Sequence, residues 1–149
     1  MAASAIQAEA SRAEVFHFTG HGYSNAGNGG LLLAKEGEAA LTSSNIAGMN
    51  WSRCHLVALS GCLTGTGEFQ GAVNPQSLVR AFLLGGAQSV IASSWSVDSA
   101  ATHQLFENFY RILLTGTPAH LALQQASRQL QDDPRFASPY YWAAFQIYR

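Results

Sequence analysis

The stretch that decides the fold is "FHFTGHGYSNAGNGG", from Phe16 to Gly30. An apolar run ends in Gly-His-Gly and continues into a loop rich in glycine and asparagine. Glycine lets the backbone turn sharply and approach a ligand closely. The pattern therefore predicts a buried strand that ends by presenting His21 at a functional site.

Three further apolar runs share the character of the first, being nearly continuous rather than alternating in polarity. This pattern is typical of strands that are covered on both faces. The four predicted strands are "EVFHFTG" (14–20), "HLVALSG" (55–61), "SVIASSW" (89–95) and "YWAAFQIY" (141–148).

Segments with helical spacing lie between these strands. The run 74–87 has Asn74 as N-cap, Pro75 in its first turn and Gly85–Gly86 as its stop. Strands and helices thus alternate, which predicts an α/β sandwich with a mostly parallel sheet. The other predicted helices are "ASAIQAEASRA" (3–13), "SAATHQLFENFYRILLTG" (99–116) and "TPAHLALQQASRQL" (117–130).

Composition excludes several classes of protein. The 149 residues are 48% hydrophobic and 11% charged, which indicates one globular domain. A net charge of −1 lacks the basic footprint of a nucleic-acid binder. No apolar run reaches the roughly 18 residues of a membrane span, and the first residues do not form a secretory signal. We therefore expect a cytoplasmic protein that uses neither nucleic acid nor membrane as a direct partner, with free thiols at Cys54 and Cys62.

Cys62 follows the second strand as His21 follows the first, in "VALSGCLTGTGEFQG" (57–71). Ligands bind beyond the carboxyl ends of strands in open parallel sheets. A thiol becomes nucleophilic as the thiolate, and a neighbouring imidazole can take its proton. If the two strands are neighbours, His21 and Cys62 project into one crevice.

Structural roles compete with this hypothesis, because a lone buried cysteine is usually inert. The pattern alone leaves both a catalytic and a structural role open for His21 and Cys62. A zinc site needs three or four ligands, and the cysteine and histidine spacings match no common metal motif. Structural or surface roles are expected for Cys54, His17, His55, His103 and His120.

Four blocks of this sequence together resemble the CHAT domain, the caspase-like module of the group that includes caspases, separases and gingipains. Family members read "HFAGHG", "LSACETG", "ARAFLLAGARSVIASLWPVDD" and "HPYYWAAF" in this order. The corresponding blocks here are "HFTGHG" (17–22), "LSGCLTG" (59–65), "VRAFLLGGAQSVIASSWSVDS" (79–99) and "SPYYWAAF" (138–145).

The resemblance implies a caspase-like three-layer α/β/α sandwich and a cysteine endopeptidase without cofactor. His21 matches the catalytic histidine and Cys62 the nucleophile, with the backbone N–H groups of Gly22 and Cys62 as the oxyanion hole. It also implies a protein or peptide substrate and control by a helical-repeat regulatory module. The chain, 1–149, is interpreted as a single CHAT domain, shortened at its N-terminus.

Substrate specificity is expected to depend on the segment 93–103, since the loop after the third strand lines the specificity pocket in the caspase-like group. Trp95 and Ser96 are expected to shape that pocket. Asp98, a candidate for binding Lys or Arg, is expected instead to cap the following helix.

Two positions depart from the family pattern, namely Leu63 in place of an acidic residue and Ser99 in place of a second aspartate. Leu63 and the short N-terminus favour a second hypothesis, a catalytically inactive interaction or scaffolding module. A third is an unrelated cysteine hydrolase that acts on a small amide or thioester.

Overall fold

The computed structural model of the protein describes residues 3–25, 28–33, 40–60, 76–96 and 98–149. Seven strands and six helices lie in these ranges. In chain order they are α1 (Ala3–Ala10), β1 (Val15–Phe18), β2 (Gly22–Asn25), β3 (Asn28–Leu32), β4 (Ala40–Thr42), α2 (Ser43–Gly48), β5 (Leu56–Leu59), α3 (Gln76–Leu84), β6 (Val90–Ser93), α4 (Ser99–Leu113), α5 (Ala119–Gln131), α6 (Pro139–Trp142) and β7 (Phe145–Tyr148).

The main sheet has the strand order β1-β5-β6-β7. The first three strands are parallel, and β7 runs antiparallel to β6. Val15 lies opposite Leu56 and Phe18 opposite Leu59. The predicted α/β class with a mostly parallel sheet is confirmed, and the strands that precede His21 and Cys62 are neighbours.

Helices cover both faces of the central strands, which explains the continuous apolar runs of β5 and β6. The prediction that the first strand is buried was wrong, because β1 lies at the edge of the sheet and its residues are exposed or half-buried. All four residues of β5 and of β6 are buried. One core includes Trp51 and Phe82 and packs α1, α2 and α3 against the sheet. The other includes Leu105 and Phe109 and packs α4 and α5 against the opposite face. The two faces together give the sandwich its three layers.

A second, antiparallel sheet of order β2-β3-β4 occupies the region where the sequence predicted only a loop. Glycine and asparagine are depleted in strands, so residue preference favours a loop here. The backbone pairing nevertheless places Leu31 opposite Leu41, and both side chains are fully buried. Burial of these leucines outweighs the poor strand propensity of the surrounding residues.

The fourth predicted strand, 141–148, was wrong in its first half. Pro139–Trp142 forms α6, which begins after Ser138, and only Phe145–Tyr148 forms β7. Ser138 accepts a hydrogen bond from Tyr140 N at its side chain, and proline occupies the first turn. Serine followed by proline is a helix-start signal, and it prevails over the apolar run.

The helix ends largely follow the expected signals. Gly86, after α3, has a φ of +104°, a left-handed conformation that glycine adopts without strain. The N-cap and first-turn residues predicted for α3, Asn74 and Pro75, lie outside the described residues. None of the helices in the described ranges combines the length and the apolar character needed to cross a bilayer.

Candidate active site

His21 lies immediately beyond the carboxyl end of β1, where its side chain is exposed. Its main-chain carbonyl accepts a hydrogen bond of 2.8 Å from the N–H of Leu32. Gly20 precedes it, and a Cβ atom at Gly20 would lie 2.8 Å from the Phe18 ring. The backbone of His21 is therefore anchored while its imidazole remains accessible.

The predicted nucleophile, Cys62, lies outside the described residues. The structure follows β5 as far as Ser60, whose N–H donates a 2.9 Å hydrogen bond to the carbonyl of Phe18. This bond joins the carboxyl ends of β1 and β5. Cys62 comes two residues after Ser60 in the sequence. The segment that leads to Cys62 therefore begins at the carboxyl end of the sheet, where His21 also lies.

Gly22, predicted to contribute to the oxyanion hole, is the first residue of β2 and pairs with Leu31. The bond from Leu32 N to His21 O flanks this pair, which identifies it as a non-hydrogen-bonded pair of the antiparallel ladder. The N–H of Gly22 consequently points away from β3. Gly22 itself is buried.

A cavity of about 540 Å³ opens between these strand ends and α4. Both the strand ends and α4 contribute polar groups to it, and the rings of Phe106 and Tyr110 give it an aromatic wall. The residues that line it in the described part of the chain are His17, Thr19, Gly20, His21, Ser60, Ser99, Thr102, His103, Phe106, Glu107 and Tyr110.

A hydrogen-bond network lies at the base of this cavity and joins β1, β5 and α4. The Nδ1 atom of His17 is 2.6 Å from the hydroxyl of Tyr110, and its Nε2 atom is 2.7 Å from Ser60 Oγ. Ser60 Oγ is also 2.7 Å from Thr19 Oγ1 and 3.1 Å from the carbonyl of Phe18. Ser60 is thus bound from three sides.

One assignment of hydrogens satisfies all four contacts. Ser60 donates to the carbonyl of Phe18, so it accepts from Thr19 and from Nε2–H of His17. The Nδ1 atom of His17 then accepts from the hydroxyl of Tyr110. Burial against α4 lowers the pKa of His17 and raises the pKa of Tyr110 to about 12. Both groups are therefore neutral at neutral pH, as this assignment requires.

The sequence predicts a structural role for His17 within its strand, but no pattern in it reveals this network. The available signal was a polar side chain within an apolar run, although His17 remains exposed in the structure. Its ring also packs against Phe106, with centroids 4.9 Å apart. The partner Tyr110, however, lies 93 residues away, and no sequence pattern joins the two.

The residues predicted for the specificity pocket lie elsewhere than this cavity. Trp95 is exposed and donates from Nε1 to the carbonyl of Tyr140 at 3.0 Å. The hydroxyl of Tyr140 donates to the carbonyl of Ser96 at 2.7 Å. Within 93–103, the cavity is lined by Ser99, Thr102 and His103 instead.

Asp98 caps α4, as expected. Its carboxylate accepts hydrogen bonds from the N–H groups of Ala100 and Ala101, at 2.9 and 3.0 Å. A negative charge at this end also suits the helix dipole. The carboxylate is therefore already engaged with the backbone.

Cys54 and His120 lie outside the lining of this cavity. Cys54 is fully buried, and its Sγ donates to the carbonyl of Leu56 at 3.2 Å. Burial raises the pKa of this thiol, which keeps it protonated and unreactive. His120 is exposed, with Nδ1 2.9 Å from the guanidinium of Arg149. No three His, Cys, Asp or Glu side chains converge as metal ligands among the described residues.

Comparison with protein families decides the relationship of this chain. The family model described as "CHAT domain" matches residues 1–149, the whole chain. The chain belongs to the CHAT domain family. The resemblance seen in the four sequence blocks is thereby confirmed, and the mostly parallel sheet agrees with the caspase-like α/β fold of this family.

Two curated relatives carry the name tetratricopeptide repeat protein 28. The human protein is 41% identical to this CHAT domain over 71 residues, which are 48% of the chain. The mouse protein is 34% identical over 113 residues, or 74% of the chain. The matches span only 3% and 4% of the length of these relatives. Their similarity therefore concerns a small part of each long protein.

Proposed function

We propose that this CHAT domain is a cysteine endopeptidase in which His21 and Cys62 form the catalytic dyad. The observation that carries the proposal is the parallel pairing of β1 and β5, which brings His21 and the residues leading to Cys62 to one edge of the sheet. His21 and Ser60 line the same cavity there. Family membership supports the same reaction class.

In the proposed reaction, the imidazole of His21 takes the proton of the Cys62 thiol. The thiolate attacks the carbonyl carbon of the peptide, and the N–H groups of Gly22 and Cys62 stabilise the oxyanion. The C–N bond then breaks while His21 protonates the departing amine. Water, deprotonated by His21, hydrolyses the thioester and releases the acid and the free thiol.

The cavity beside His21 is the proposed site for the substrate chain. The rings of Phe106 and Tyr110 offer an apolar surface to a substrate side chain. Thr102 donates its hydroxyl proton to the carbonyl of Asp98 at 2.9 Å, so only its oxygen is offered, as an acceptor. We retain Trp95 and Ser96 as a second, outer wall of the substrate site. Because Asp98 is occupied as a helix cap, it is not proposed to demand a basic substrate residue.

Control by a helical-repeat module is part of the proposal, because both relatives are named for tetratricopeptide repeats. A cytoplasmic location is also proposed, since the free thiol of Cys54 suits a reducing compartment. The same relatives support the second candidate function, a non-enzymatic interaction module, together with Leu63 in place of an acidic residue.

Cleavage profiling with a diverse peptide library tests the proposal. Cys62→Ala and His21→Ala should each abolish cleavage and leave the fold intact, while Cys54→Ser should cleave as the unaltered protein does. Because the dyad acts as a unit, the double variant should be little worse than either single one. Turnover in Cys62→Ala equal to that of the unaltered protein would refute the assigned nucleophile.

A thiol-reactive peptide probe separates the two candidate functions. The peptidase should be labelled at Cys62 in preference to Cys54, with loss of labelling in His21→Ala. Absence of preferential labelling, combined with absence of cleavage, would favour the interaction module.

A further inference from the structure

We propose that Ser60, held by His17 and Tyr110, is a positioning residue for the His21–Cys62 dyad. The inference rests on the proposed function and adds a set of residues that the dyad itself does not include. It starts from the hydrogen-bond network at the base of the cavity.

The network has the same sequence separation from both proposed catalytic residues. Thr19 precedes His21 by two residues, and Ser60 precedes Cys62 by two residues. The 2.7 Å contact between Thr19 Oγ1 and Ser60 Oγ therefore joins the two strands directly before the reactive segments begin. A shift of one strand end relative to the other would change the separation of the dyad.

Ser60 is well suited to hold the strand ends in register. Its N–H and its hydroxyl both donate to the carbonyl of Phe18, at 2.9 and 3.1 Å. Its Oγ also accepts from Thr19 and His17. Catalytic groups need placement within about 0.5 Å, which requires support from hydrogen-bonded neighbours of this kind.

His17 is a support rather than a second general base, although it lines the same cavity as His21. Both of its ring nitrogens are in hydrogen-bond contact, Nε2 with Ser60 and Nδ1 with Tyr110. In the assignment of hydrogens given above, Nε2 donates and Nδ1 accepts, so neither nitrogen is left to take a proton from a thiol. Tyr110 fixes the ring from α4, so the network also ties the strand ends to this helix.

The test compares Ser60→Ala with Ser89→Ala. Ser89 is a matched control, because its hydroxyl donates a 2.7 Å hydrogen bond to the carbonyl of His55. Ser89 immediately precedes β6, and His55 immediately precedes β5. Both variants lose one hydroxyl that binds a main-chain carbonyl across neighbouring strands. They differ in lying at opposite ends of the sheet.

Ser60→Ala should lower kcat by about tenfold to a hundredfold with KM changed less than about twofold, since misplacement of catalytic groups acts on the chemical step. Ser89→Ala should keep kcat within about twofold at a similar loss of stability. Tyr110→Phe, which keeps the ring and loses the hydroxyl, should lower kcat by less than Ser60→Ala. Equal kcat values for Ser60→Ala and Ser89→Ala would overturn the positioning role.

Alkylation of Cys62 by iodoacetamide, followed by peptide mass analysis, provides a readout independent of cleavage. Ser60→Ala should slow alkylation of Cys62 at neutral pH, and Ser89→Ala should not, because only the former separates the thiol from its imidazole. If no library peptide is cleaved but this difference persists, the peptidase proposal fails and the positioning role stands. If the unaltered protein cleaves peptides and both variants alkylate alike, the positioning role fails alone.

Discussion

The two faces of β1 differ in the kind of interaction they make. On the face toward α2 and α3, Phe16 packs against Trp51 and Phe82, with ring centroids 5.2 and 5.6 Å apart. On the face toward α4, His17 lies between Ser60 and Tyr110 and bonds to both. One strand thus contributes apolar packing to one layer and directional hydrogen bonds to the other.

The difference shows how one sheet serves two purposes. Apolar packing contributes most of the stabilisation and is roughly proportional to the area buried. It has little direction, so it does not by itself fix the position of a strand end. Hydrogen bonds contribute less free energy each, but their geometry is specific. The polar face therefore lies where placement matters.

The largest expected effect on stability comes from removing a buried aromatic side chain from the apolar face. Phe82 is fully buried, so Phe82→Ala should reduce the free energy of unfolding by about 3–5 kcal/mol through lost burial and an unfilled cavity. Denaturant-induced unfolding measures the loss. Leu84→Ala is the control, because Leu84 on the same helix is 69% exposed and should change stability by less than about 0.5 kcal/mol. Similar losses in both variants would contradict the role given to this face.

A smaller effect is expected from crowding the same face. A Cβ atom at Gly85 would lie 2.5 Å from the Trp51 ring and 3.0 Å from the carbonyl oxygen of Met49. Gly85→Ala should therefore destabilise the protein by about 1–3 kcal/mol, since the backbone must shift. At Gly48, which ends α2, nothing lies within 4 Å of such an atom. Gly48→Ala should be neutral or stabilising. Thermal melts of the two variants measure the difference.

The smallest effect concerns the start of α4, the helix that carries Tyr110. Asp98→Ala should cost about 1 kcal/mol of stability through the lost N-cap, and Asp98→Asn should retain most of it. The cleavage profile should be the same in both variants and show no strict demand for Lys or Arg. A strict basic preference that disappears in Asp98→Ala, with stability unchanged, would instead assign Asp98 to substrate binding.

Much of the main sheet could be predicted because its strands are indicated by residues that are adjacent in sequence. The buried runs around β5 and β6 are apolar on both faces. Gly86 marks a helix end by its backbone conformation, and Asp98 marks a helix start by its side-chain carboxylate. The β2–β4 sheet could not be predicted, because its strands are held by pairing with one another against their residue preferences. Of the candidate site, His21 lies where its motif indicates, while the catalytic roles of His21 and Cys62 remain a prediction.

The sequence by itself determined the α/β class, the family and the order of the blocks that bear His21 and Cys62. These features depend on local residue patterns, which are readable along the chain. Only the tertiary structure decided that His17 bonds to Tyr110 and Ser60, that Ser99, Thr102 and His103 line the cavity, and that the Trp95 side chain contacts Tyr140. Each of these features brings together residues that are far apart in sequence. Which residues meet depends on how β1, α4 and α6 pack together.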